Sequence, residues 1–150
     1  MRGDNQGDAQ PAVSRTWPLA GLLAALAAAL SLIVTIRVWQ AVGGQQAMWP
    51  LPALYLIEML ALPGATAIIL LRSASAGATV AWVAAGAVSA FSVWGAWSVG
   101  LFYAPVALLL LAAGLVAVLP ARRSILTDLA WAIAAAVLQT AIMLAALGLL

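Results

Sequence analysis

Long apolar runs separated by short polar breaks make up the chain from residue 17 onwards. The runs cover residues 17–38, 51–71 and 77–119, and a last one begins near residue 127. They are continuous and rich in Ala and Leu, which favour helices, and they lack the period-two alternation of a membrane β-barrel. Because backbone groups in hydrocarbon must bond internally, the pattern predicts an all-α bundle of membrane-spanning helices.

The run from Gly77 to Leu119 contains 43 residues and no charge. A single helix of that length would be about 64 Å long, twice the hydrocarbon thickness of a bilayer. We therefore expect a turn within residues 95–103, where glycines and aromatic residues cluster just before a proline. The sequence thus predicts five spans within a bundle over residues 16–150, at about 17–38, 51–71, 76–97, 102–119 and 127–149. The alternative of four spans would require this run of 43 residues to form a single span.

Residues 1–15 differ from the rest of the chain. Their sequence, MRGDNQGDAQPAVSR, is polar, carries both signs of charge and has almost no apolar content, which is typical of a disordered tail. Thr16 offers an N-cap for the first span. That span is about twice as long as the apolar part of a signal peptide, so we expect it to be retained, with cleavage as the alternative.

The distribution of arginine predicts the orientation in the membrane. If residues 1–15 are cytoplasmic, five of the six arginines lie on the cytoplasmic side and only Arg37 lies outside. The positive-inside rule therefore predicts a multi-pass protein of the cell membrane with a cytoplasmic N-terminus and an outside C-terminus.

The composition restricts the chemistry that the chain can perform. It has no His, Cys or Lys, so it lacks the usual imidazole base, a thiolate ligand and a Schiff-base amine. It also lacks a phosphate-binding glycine loop, a Ser/His/Asp set and paired carboxylates. We therefore expect no catalytic residues, no metal or cofactor site and no enzyme activity. The net charge of +2 gives no indication of nucleic-acid binding.

Glu58 is the one acid inside an apolar run, and an intramembrane carboxyl group is a candidate functional site. Pro63 cannot donate to the carbonyl of Met59, which leaves a free oxygen beside Glu58. Freed carbonyls of this kind coordinate cations in some transporters. The functional hypothesis is a proton or cation site. The structural alternative is a glutamate that fixes helix packing, contacts a partner subunit or pairs with Arg37.

Polar side chains of other spans are expected at a depth similar to that of Glu58, which lies roughly 10 Å below the outer end of span two. Ser31 and Ser89 come to about 9 Å from the outer edge of a ~30 Å core, and Gln139 to about 12 Å. The candidate intramembrane polar site therefore comprises Glu58, Arg37, Ser31, Ser89 and Gln139. Span four places no polar side chain at this depth, so we expect it to face lipid or a partner most extensively.

Two functions fit these observations. Small size and the near absence of segments outside the membrane favour a non-catalytic subunit or assembly factor of a membrane complex. Its partners would be the lipid bilayer and other membrane subunits or a second copy of itself. The alternative is a small proton- or cation-coupled transporter or channel that uses Glu58.

Overall fold

The computed structural model describes residues 16–42, 51–119 and 124–148. Outside the described residues lie the predicted tail (1–15), residues 43–50, residues 120–123 and residues 149–150. Within the described ranges there is no strand, and the all-α prediction is confirmed. The described residues form five long helices: α1 (Thr16–Val42), α2 (Leu51–Arg72), α3 (Ala74–Trp94), α4 (Ala104–Val118) and α5 (Ile125–Ala146). Each is long and apolar enough to cross a membrane, the fourth together with the turn before it.

The turn between the third and fourth helices lies where the length of the apolar run predicts it. α3 ends at Trp94, and a 3-10 turn over Gly100–Tyr103 leads directly into α4. The N–H of Gly100 donates to the carbonyl of Gly95 over 2.8 Å. A Cβ atom at residue 100 would stand 2.6 Å from the Cα of Gly95, so the closeness of the turn requires glycine.

The first four helices form a ring, and the fifth lies outside it. α1 packs beside α2 and α4, α3 also packs beside α2 and α4, and α5 packs on α3. The indole of Trp17 donates to the carbonyl of Leu70 over 2.6 Å, so α1 begins where α2 ends. We call this side of the bundle the Arg72 end and the opposite side, where α1 ends, the Arg37 end.

The bundle buries its helices unequally. α3 is the most buried, because it contacts α2, α4 and α5. α5 buries only Asp128, Ala132 and Gln139 among its described residues, whereas α4 buries seven of its own. The expectation that span four is the most exposed is therefore wrong. Small residues at 107, 113, 114 and 117 let α4 pack closely against its neighbours, which uniform apolarity alone does not reveal.

Candidate functional site

Glu58 and Gln139 are brought together by the fold. The side-chain amide of Gln139 donates to Oε2 of Glu58 over 3.1 Å. Gln139 is buried, whereas Glu58 remains partly exposed. The helices that carry them, α2 and α5, both pack against α3. The hydrogen bond therefore joins the two helices that flank α3.

The carbonyl that Pro63 frees already has a partner within the protein. The hydroxyl of Ser31 on α1 donates to the Met59 carbonyl oxygen over 2.6 Å, and both residues are fully buried. An interhelical hydrogen bond thus replaces the helical one that proline cannot make. Ser31 therefore contacts the backbone of the residue after Glu58, and its hydroxyl group donates to Met59.

The structure does not bring Ser89 and Arg37 to Glu58. Ser89 lies half-buried on α3, and it has no hydrogen bond to another residue in the described ranges. Arg37 is exposed at the Arg37 end of the bundle. There it lines a groove together with residues of the α3–α4 turn. No ion pair within 4.0 Å joins Arg37 to Glu58 in the described part of the chain. The pairing that would neutralise Glu58 is therefore not formed here.

Asp128 is a buried acid that lies outside the predicted polar site. It lies in the first turn of α5 and is only 1% exposed. Among the described residues, neither of its carboxylate oxygens has a hydrogen-bond partner, and the same holds for the indole nitrogen of Trp82. One feature of the sequence indicates that Asp128 is buried. Asp128, Ala132 and Gln139 fall on one helical face, and that face is the one α5 buries.

The register between α3 and α5 places Asp128 and Trp82 at the same level of the bundle. The indole of Trp94 donates to the hydroxyl of Thr140 over 3.1 Å, a separation of 46 residues in sequence. Gly86 and Ala132, which touch through their backbones, have the same offset. Because the two helices run in parallel with this offset, Asp128 lies at the level of Trp82, on the Arg72 side of Gly86.

The pair of Glu58 and Gln139 can exist with the carboxyl group in either protonation state. A carboxylate accepts from the amide N–H, and a carboxylic acid can also donate to the amide oxygen, since glutamine provides both kinds of group. Within the described residues no three His, Cys, Asp or Glu side chains are grouped as metal ligands would be. The arrangement thus provides an interhelical hydrogen bond.

Comparison with known proteins yields no relative. No protein-family model matches the chain, and no curated protein and no solved structure shows significant similarity to it.

Proposed function

We propose that this multi-pass membrane protein is a non-catalytic subunit or assembly factor of a complex in the cell membrane. The observation that carries the proposal is the partial exposure of Glu58 within the span of α2. A carboxyl group exposed to hydrocarbon is costly. Gln139 supplies one donor, whereas a carboxyl group has about four acceptor sites. A helix of a partner subunit that brings further donors would complete the environment of Glu58.

The surface beside Glu58 supports this proposal. α5 packs mainly on α3 and leaves most of its length uncovered. Its exposed large side chains include Leu126, Trp131, Ile133, Val137, Leu138 and Ile142. Because lipid offers no hydrogen-bond donors at this depth, a partner is expected to cover Glu58 together with part of this apolar face.

The orientation that we propose follows from the arginines. The Arg72 end is cytoplasmic, and the Arg37 end, where the aromatic turn lies, faces outside. With five helices, the two ends of the chain then lie on opposite sides of the membrane.

Purification from native membranes in a mild detergent tests the proposal. We expect a stoichiometric partner that is retained by the wild type and lost by Glu58→Leu. Thr66→Val is the matched control, because Thr66 is a buried polar residue of the same helix whose hydroxyl bonds only to the carbonyl of Leu62. A wild-type chain that purifies alone or as a homo-oligomer would contradict the subunit function.

A second candidate is a small proton- or cation-coupled transporter or channel. It is favoured by the pair of Glu58 and Gln139, which accommodates a carboxyl group with or without its proton. Asp128 adds a second acid on the same face of α5 as Gln139. In proteoliposomes, Glu58→Gln should abolish proton or cation flux and leave the fold intact. Flux that survives in a folded variant would eliminate this candidate.

A further inference from the structure

A groove of about 390 Å³ opens at the Arg37 end of the bundle. α1 contributes Ile33, Val34, Arg37 and Ala41 to its lining, and the α3–α4 turn contributes Val99 and Phe102. We call this feature the Arg37 groove. Its volume falls within the range of pockets that hold small molecules.

The chemistry of the Arg37 groove is that of a site for an amphipathic anion. Every named lining residue except Arg37 is apolar. Arg37 is exposed, and among the described residues it is the only charged side chain at this end of the bundle. A guanidinium group binds phosphate through paired hydrogen bonds. The groove therefore combines a phosphate-binding group with a surface suited to a hydrocarbon chain.

The depth of Arg37 in the membrane matches such a ligand. Arg37 follows Trp17 by twenty residues of continuous helix, a rise of about 30 Å, which equals the thickness of the hydrocarbon core. With Trp17 at one interface, the guanidinium lies at the headgroup level of the other leaflet. Ile33 lies about 6 Å deeper along the same helix, at the level of the acyl chains.

We propose that the Arg37 groove binds an anionic phospholipid. Arg37 holds the phosphate group, and an acyl chain lies along Ile33, Val34 and Phe102. A zwitterionic lipid also has a phosphate, but its ammonium group carries a positive charge that offsets the attraction to Arg37. The described lining of the groove contains no carboxylate that could pair with that ammonium group. A headgroup with net negative charge, such as phosphatidylglycerol, is therefore preferred over phosphatidylcholine.

Native mass spectrometry of the full chain in detergent, titrated with phosphatidylglycerol or phosphatidylcholine of identical acyl chains, tests the proposal. We expect tighter binding of phosphatidylglycerol, and a loss of about fivefold in Arg37→Gln, which corresponds to about 1 kcal/mol per basic residue. Arg72→Gln is the matched control, because it removes an exposed arginine at the opposite end. Its binding should equal that of the wild type.

A second variant tests the groove independently of its charge. Ala41→Phe places bulk in the groove and should weaken the binding of both lipids while Arg37 stays in place. Glycerol phosphate, which has the headgroup charge without acyl chains, should not compete. The proposal is overturned if the wild type binds both lipids equally, if Arg37→Gln and Arg72→Gln lose equal affinity, or if glycerol phosphate displaces the lipid.

Discussion

Gly86 of α3 and Ala132 of α5 touch backbone to backbone. A Cβ atom at residue 86 would overlap the carbonyl oxygen of Ala132 and stand 2.8 Å from its carbonyl carbon. No other helix packs as extensively on α5 as α3 does. The close approach of α5 to α3 therefore requires that residue 86 have no side chain.

Gly86→Ala should separate α5 from α3 and destabilise the protein. The added methyl group meets backbone, which cannot rotate away, and overpacking of this kind costs about 1–3 kcal/mol. Unfolding by denaturant in detergent micelles measures the change. Gly64→Ala is the matched control, because a Cβ atom at residue 64 meets nothing within 4 Å. That variant should be as stable as the wild type or more stable by about 0.5–1 kcal/mol. Equal effects of the two substitutions would contradict the contact.

The hydrogen bond between Gln139 and Glu58 should appear as a coupling energy. We expect Glu58→Leu, Gln139→Leu and the double variant to give a coupling of about 0.6 kcal/mol in a double-mutant cycle, with an upper bound of about 1.7 kcal/mol for such bonds in membranes. The free energies of unfolding in micelles provide the measurement. Strictly additive effects would show that the two side chains do not interact in the membrane.

Ser31→Ala should destabilise the bundle only when Pro63 is present. The substitution leaves the Met59 carbonyl oxygen buried without a donor, which costs about 1–3 kcal/mol. In a Pro63→Ala background, the restored N–H of residue 63 satisfies that carbonyl, and the cost of Ser31→Ala should fall. An equal loss of stability in both backgrounds would show that the serine contributes through packing alone.

The orientation can be measured with reporter fusions. After residue 150, a reporter that is active only outside the cytoplasm should be active, and one that is active only in the cytoplasm should be inactive. A reporter inserted in the α2–α3 connection, next to Ser73, should be active only in the cytoplasm. A cytoplasmic C-terminus would contradict the orientation that the arginines predict.

Physical constraints along the chain predict much of this fold. The bilayer thickness limits a helix to roughly half of the 77–119 run, and Gly95 and Gly100 mark the turn. Helical rise gives Glu58 and Gln139 similar depths, which their hydrogen bond requires. Pro63 identifies the carbonyl that needs an outside donor. Each of these features depends on position along a helix axis, which follows from the residue number because the rise per residue is constant.

Rotation about a helix axis is the information that the sequence lacks. When nearly every residue of a helix is apolar, the hydrophobic pattern does not indicate which face is buried. The sequence places Ser31 and Ser89 at one depth, yet Ser31 turns to Met59 and Ser89 bonds to neither Glu58 nor Gln139. Asp128 is in the first turn of α5, where an acid suits the helix dipole whichever way its side chain faces. That it faces inward depends on how α5 rotates to bring Ala132 against Gly86.

The placement of α5 outside a ring of four helices allows the ring to form before α5 during synthesis. The ring consists of helices within residues 16–119, and α5 follows them in the chain. As the ribosome extends the chain, the ring can close while α5 is still being made, and the Gly86 side of α3 then faces lipid.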